Sequence, residues 1–319
     1  MADTSTALRL AGTGLQSVLR SGLPYLALAA MLAVLIALQP NILSYFGLNL
    51  LLKLSIPLIL AAYAQMLVIA LGDIDLSIGS FVGLVNCVVA VFFGDHLALG
   101  LLILAAAVVG YAIMGAVIHL RRLSSIMVTL GMSFVWFGVA LLILPNPGGV
   151  APEWLADFAR MQAPLMPLPL WLAIVIAVIG HFTLMRSSFG VILRGAGGNP
   201  RAIARAGWSI LQARLVIYSA AGILGVLSGL VLTAITTSGD PNVAPTYTLV
   251  SIAAVILGGG AFVGGIMSPV GTVAGAITLA LAGSMLSFLN VPPVWQIGAQ
   301  GCILVAVLAG RALVRTDSK

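Results

Sequence analysis

The sequence predicts an all-α, polytopic membrane protein with about ten transmembrane helices. Composition, the length of its apolar runs and the placement of its basic residues carry that expectation. Of 319 residues, 61% are apolar or aromatic and only 7% are charged, against about one quarter charged in an ordinary globular domain. The mean hydropathy of +1.19 likewise excludes disorder. There is no Gly-X-Y period and no clustering of Arg with aromatic residues, so collagen and nucleic-acid binding fall away. Cys87 and Cys302 both sit in apolar runs and support neither a disulfide framework nor a metal site.

Ten apolar runs follow one another at 23–38, 48–71, 78–93, 97–118, 126–144, 168–185, 215–235, 247–263, 270–288 and 294–313. Crossing the hydrocarbon core takes about 20 helical residues, with about 17 as a lower limit. Most runs qualify; those at 23–38 and 78–93 are short enough to be tilted, broken or partly inserted. The runs are continuous rather than alternating, which argues against spanning β-strands.

The basic residues set the orientation. Arg9 and Arg20 precede the first run, which lacks a cleavage site and is expected to stay as a helix with its amino end in the cytoplasm. Ten crossings then place 12 of the 14 basic residues inside, leaving only Lys53 and Arg160 outside. The net charge of +6 is thus a topology signal, with both termini cytoplasmic. Cutting near residue 165 leaves five helices on either side, starting from opposite faces. That is the pattern of a 5+5 inverted pseudo-repeat, with a pathway between the halves.

Three segments stand out. Gly72-Asp73-Ile74-Asp75-Leu76-Ser77-Ile78-Gly79-Ser80 sets two carboxylates between two apolar runs, with glycines permitting an unwound stretch. It reads either as a break shaping a translocation path, with Asp73, Asp75 and Ser77 at it, or as a cytoplasmic hairpin in which Asp75 caps the next helix. Around Gly198-Asn199-Pro200, Asn199 suits an N-cap, Pro200 the first helical position and Gly207 a left-handed end. A two-turn cytoplasmic helix follows, with Arg201 and Arg205 on one face. It either touches anionic lipid heads or docks a cytoplasmic partner. Finally, Gly258, Gly259 and Gly260 open a glycine-dense stretch to Gly265 that favours a broken segment, whereas Gly271–Gly275 favours close helix packing.

Several chemistries are missing. Lys occurs only at 53 and 319, outside any phosphate-cradling loop, so the chain carries no ATPase motif of its own. His96, His119 and His181 are scattered near run ends. Gly131-Met132-Ser133-Phe134 lacks the following glycine of an intramembrane serine protease motif, and no His–Ser pairing supports catalysis.

From about Leu48 to Val307 the chain resembles the permease subunits of ribose-type (simple-sugar) ABC importers. The 72–80 segment is similar to that family's Gly-Gly-Ile-Asp-Leu-Ser-Val-Gly-Ser signature. Ile126-Met127-Val128-Thr129-Leu130-Gly131, Phe189-Gly190, Gly197-Gly198-Asn199-Pro200, Ile252–Gly259, Gly271-Thr272, and Gln296 with Gly301 match further motifs in order. It departs at Asp73, where glycine is usual, at Arg201, where an acid is common, and at Tyr247-Thr248-Leu249-Val250, which replaces an acidic stretch.

The resemblance implies a type II ABC importer-like fold in the bacterial inner membrane, a single permease domain over 1–319. It implies a dimer with a second copy or paralogue, a cytoplasmic ATP-binding subunit carrying ATP and Mg, and an extracytoplasmic solute-binding protein. No cofactor is expected in this chain itself. The segment 187–212 would be the coupling region, with Arg194, Gly198, Asn199, Pro200, Arg201 and Arg205 facing the ATPase, and the solute a small sugar. Alternatives are a permease for nucleosides or another polar solute, or an ion-coupled secondary transporter using Asp73 and Asp75.

Overall fold

The structure, a computed structural model, describes residues 22–292 and, beyond them, 295, 298, 301, 302 and 305. The basic residues at 9, 20, 311, 315 and 319, Gln296 and most of the run at 294–313 lie outside the described residues. Among the described residues the regular elements are helices, and a single antiparallel bridge joins Gly148 to Gly239.

The helices are α1 (Gly22–Leu38), α2 (Tyr45–Lys53), α3 (Ser55–Ala70), α4 (Ile78–Phe92), α5 (Leu97–Arg121), α6 (Ser125–Ile143) and α7 (Glu153–Arg160). After them come α8 (Leu168–His181), α9 (Ser188–Gly198), α10 (Pro200–Arg205), α11 (Ile210–Thr236), α12 (Tyr247–Leu257) and α13 (Pro269–Phe288). Among the described residues six spans are long and apolar enough to cross a bilayer: α2 with α3, α5, α6, α8 with its π-helical extension Phe182–Arg186, α11 and α13.

Helix boundaries follow from local chemistry. Ser44, Ser187, Asn199, Ser209 and Ser268 each accept a hydrogen bond from an early backbone N–H of the helix they precede, at 3.1–3.3 Å. The run at 48–71 is interrupted at Leu54, because Pro57 cannot donate to the carbonyl four residues back. Ser55 Oγ takes up the Leu52 carbonyl there at 2.5 Å.

Every residue of α3 is buried. A helix apolar all round belongs at the centre of a bundle, and α11, α12 and α13 pack around it. Glycines on α11 set the approach: Gly222 seats Tyr111, Gly225 seats Phe81 and Gly229 seats Val85. The outer faces of α5, α6 and α8 expose Leu102, Phe134, Leu142 and Ile179, the apolar surface a helix turns to lipid.

Two short interior helices, α4 and α12, share an arrangement. After α3, residues 71–77 run without regular helix before α4 begins. After α11, residues 237–246 run irregularly along α4, pinned by buried Asn86, before α12 begins. Asn86 donates to Thr233 Oγ1 (2.9 Å) and the Ser238 carbonyl (3.0 Å) and accepts from the Asp240 N–H (2.7 Å). The amino ends of α4 and α12 meet where the Gly79 N–H donates to Thr248 Oγ1 at 3.1 Å.

The run at 247–263, expected as one crossing, is therefore a half-length helix ending at Leu257. Gly258 packs on Gly271, and left-handed φ values at Gly259 (108°), Gly264 (74°) and Gly265 (74°) turn the chain away. Gly271 and Gly275 abut the backbone of α12, the close packing expected of them.

A Cβ branch at Gly275 would strike the Ala254 carbonyl, whereas Gly131 on α6 has open space around it. Gly275→Val should lower the melting temperature of the detergent-solubilised chain by about 5 °C, from an overpacking cost of about 1–3 kcal/mol. Gly131→Ala should leave it equal or higher. Fluorescence-monitored thermal unfolding of both variants checks the difference.

Candidate functional site

Within the 71–77 stretch Asp73, Asp75 and Ser77 are buried, and side chains supply partners to backbone groups that lack a helical ladder. Gly72 takes φ 83° and turns the chain off α3. Asp75 is 1% exposed. Its Oδ1 accepts from the Ser77 N–H and the Ser77 hydroxyl, both at 2.7 Å, and its Oδ2 accepts from the Tyr111 hydroxyl at 2.8 Å. The Gln65 amide, oriented by its hydrogen bonding, donates to the Asp75 carbonyl (3.0 Å) and accepts from the Asp75 N–H (3.2 Å). From α6, Ser125 Oγ accepts from the Ile74 N–H (3.2 Å) and Thr129 Oγ1 from the Leu76 N–H (3.0 Å). Tyr111 is itself wedged against Phe81 at 4.6 Å and stacked with Trp136 at 6.2 Å.

This cluster is deep. Tyr111 packs on Gly222, twelve residues into α11 and fourteen from its end, so about 18 Å and 21 Å along the axis. Asp75 therefore sits between the middle of α11, through Tyr111, and the first turn of α6, where Ser125 and Thr129 hold the residues on either side of it. It braces the approach to α4 two residues ahead of the N–H it binds, while Ser77 occupies the cap position without a side-chain cap.

Asp73 lies nearer the end of the bundle that carries the arginines. Arg214, in the second turn of α11, donates to Asp73 Oδ2 at 2.7 Å and faces Oδ1 at 3.4 Å. The Tyr218 hydroxyl adds a third bond at 3.2 Å. The side chains of the pair are 18% and 10% exposed, so each charge depends on the other for solvation.

At the same end, three separate segments touch through backbone. The Gly265 N–H donates to the Ala70 carbonyl at 2.8 Å. A methyl at Gly197 would collide with that carbonyl, and Gly264 and Gly265 rest on the backbone of Gly197, Gly198 and Arg194. The carboxyl end of α9, the end of α3 and the loop after α12 thus share one glycine seam.

Beyond the seam, α10 has no buried residue and presents Arg201 and Arg205 outward. Asn199 caps it and Gly207 (φ 86°) follows it, as expected. Arg194 turns back instead, its Nε to the Gly190 carbonyl at 3.1 Å and a terminal nitrogen to the Met185 carbonyl at 3.5 Å. Gly198 and Pro200 shape the turn between α9 and α10.

The residues singled out in the sequence thus fall into two neighbouring groups. Asp73, Asp75 and Ser77 form the break, and Gly258–Gly260 begin the loop that reaches the seam with Gly198. Sequence reading missed α9 as a helix, and it missed Gln65, Tyr111, Thr129, Arg214 and Tyr218. Buried polar residues inside apolar runs were the available signal, since such groups need partners.

Removing one partner of a buried ion pair costs about 3–5 kcal/mol; slight exposure puts this pair toward the lower end. Arg214→Ala should destabilise accordingly, and the double variant D73L/R214M should recover most of the loss. Denaturant unfolding in micelles checks both.

Comparison with known proteins converges on one family. The family model described as branched-chain amino acid transport system / permease component matches residues 47–308. The chain is 30% identical over 293 residues to the ribose import permease protein RbsC of Escherichia coli (strain K12), covering 89% of this chain and 91% of that one. It is 30% identical over 300 residues to RbsC of Bacillus subtilis (strain 168), covering 90% and 92%. It is 26% identical over 253 residues to the L-arabinose transport system permease protein AraH of Escherichia coli (strain K12), covering 78% and 77%. No solved structure matches it. With the membrane-capable helices and the matched span, the chain belongs to the branched-chain amino acid transport system permease family.

Proposed function

We propose that this chain is the transmembrane permease subunit of an ATP-driven importer for a small sugar, working by alternating access in a bacterial inner membrane. The similarity to ribose and arabinose permeases supports the solute class. The single observation that carries the mechanism is the glycine seam. It joins the exposed α9–α10 segment by direct backbone contact to the end of α3, three residues before Asp73. A partner pressing on α10 would move the break with no flexible side chain between.

In this reading residues 187–212 are the coupling segment. A cytoplasmic ATPase, holding the ATP and Mg, meets Arg201 and Arg205, and Arg194 fixes α9 to the turn before it. The arginine-bearing end is cytoplasmic, as are both termini, and an extracytoplasmic solute-binding protein delivers solute at the other end. A second copy or paralogue completes the permease.

The paired short helices α4 and α12, each preceded by an irregular stretch, favour the 5+5 inverted repeat, because broken helices in corresponding positions of two halves mark such folds. Asp73, Asp75 and Ser77 hold the gate, and Gly258, Gly259 and Gly260 let the opposite half flex. Ion coupling gains no support from the site. Asp73 is engaged by Arg214 and Asp75 by Ser77 and Tyr111.

Reversing charge on the exposed coupling helix should uncouple the motor without harming insertion. Arg205→Glu should cut ATP-dependent ribose uptake about tenfold, as expected for about 1.4 kcal/mol of lost coupling, with normal membrane levels. Uptake at the unmodified rate would remove α10 from the mechanism. At the gate, Asp75→Ala should lose most uptake and Asp75→Asn, which keeps an acceptor, less. Proteoliposomes containing the chain alone should show neither ATP hydrolysis nor gradient-driven uptake; sodium- or proton-driven uptake by them would defeat the proposal.

A further inference from the structure

The 71–77 break is gripped from two sides at the arginine-bearing end, and both grips lead back to the α9–α10 segment. One is the glycine seam at Ala70. The other is the Asp73–Arg214 pair, with the Tyr218 hydroxyl as its third member. Arg214 is joined to α10 by a short stretch of chain. The Trp208 N–H donates to the Ile203 carbonyl of α10 at 3.2 Å, Gly207 turns the backbone, and Ser209 caps α11 five residues before Arg214. A shift of α10 is thereby handed to the guanidinium through the first turns of a helix.

The two grips differ in kind. The seam is backbone on backbone, whereas the pair is made of side chains that can part. Only one of its three hydrogen bonds is short, at 2.7 Å against 3.2 Å and 3.4 Å for the others. The Arg214 Nε is buried and has no hydrogen-bond partner among the described residues. A guanidinium carries several N–H donors, and a buried one left unmatched keeps its desolvation cost. The closed contact is thus directional yet incompletely satisfied. The bundle is hollow elsewhere: a cavity of about 360 Å³ between α3, α11, α12 and α13 is lined by Leu54, Leu58, Leu232 and Thr236 among others. Leu232 is about 27 Å along α11 from Arg214, at the opposite end of that helix.

We infer that Arg214, with Tyr218, is a positioning residue for alternating access: it fastens the break to α11 while the arginine-bearing end is shut, and that end opens by parting Arg214 from Asp73. A charged pair suits such a place. While the end is shut each charge solvates the other, and once it opens water solvates both, so the two states can lie close in free energy. An apolar pair would favour the dry, shut state alone, and an unpaired Asp73 the wet, open one. What drives the change rests on the importer reading, whereas the closure does not. Nor does the family resemblance supply it, since glycine, usual at the position of Asp73, has no carboxylate to hold.

The test uses the full chain in lipid nanodiscs, with Cys87→Ala and Cys302→Ser removing the native thiols. Ala221→Cys adds one that is buried on α11, seven residues beyond Arg214, and Ser284→Cys adds one, in a separate sample, in the far cavity. The rate of modification by an impermeant maleimide is measured for each. At 221, Arg214→Ala should quicken labelling about tenfold and D73L/R214M should slow it about tenfold, because the two changes push the shut–open ratio in opposite directions. At 284 neither should quicken it, whereas a merely loosened bundle would label faster at both places. Equal rates at 221, shifts of the same sign in the two variants, or faster labelling at both positions overturns the inference. Ile217→Cys, also buried on α11, gives the same reading should the cysteine at 221 prevent folding. Ribose uptake by cells tests the importer reading apart from this. Uptake by the unmodified chain with no opposed shift in labelling sinks the role of Arg214 alone, and opposed shifts without any uptake sink the importer alone.

Discussion

Seven residues lie between α3 and α4 without a helical ladder, and alternate ones, Asp73, Asp75 and Ser77, are buried where water has little access to complete their hydrogen bonds. The surrounding side chains are organised by that need. Gln65 is committed to one peptide, Ser125 and Thr129 to two N–H groups, and the Asp75 carboxylate to Ser77 and Tyr111. Gln65, Ser125 and Thr129 each interrupt an otherwise apolar helix, and each would be costly without its partner. The aromatic contacts of Tyr111 and the glycine under it follow from the same demand, since the ring must be held where its hydroxyl reaches Asp75.

On the other side of the bundle the stretch after α11 poses a matching problem and meets it more simply. Asn86 uses both ends of its amide to hold 238–240, and small residues on α4 let the irregular chain lie against the helix. The two stretches converge where Gly79 donates to Thr248. Two helix amino ends, each lacking intrahelical partners for its first N–H groups, are thereby set close together at half-depth. Glycine does the remaining work at the arginine-bearing end, where only hydrogen in place of a side chain permits α9, α3 and the 258–268 loop to share one contact.

Much of this was legible in the sequence. Run lengths located the helices, Asn199 and Pro200 marked α10, and glycine density marked the end of α12. The 78–93 run was correctly short, but the 247–263 run was long enough to look complete, because apolar residues continue past Leu257 while the backbone does not. The depth of Asp75 was not legible: a hairpin cap and a buried brace require the same residue, and only its neighbours across the fold, Gln65 and Tyr111, distinguish them. Arg214 was counted as a loop cation because it stands one residue before the apolar run at 215–235. Its pairing with Asp73, 141 positions away, leaves no local trace.

The electrical character of the bundle interior follows from these pairings. Arg214 offsets Asp73 within the wall, and among the described residues no charged side chain lines the cavity between α3, α11, α12 and α13. A moving unit charge exchanges about 2.3 kcal/mol with each 100 mV of membrane potential. An uncharged passenger travelling through such walls carries no current, so a cell's voltage would neither hasten nor hinder it.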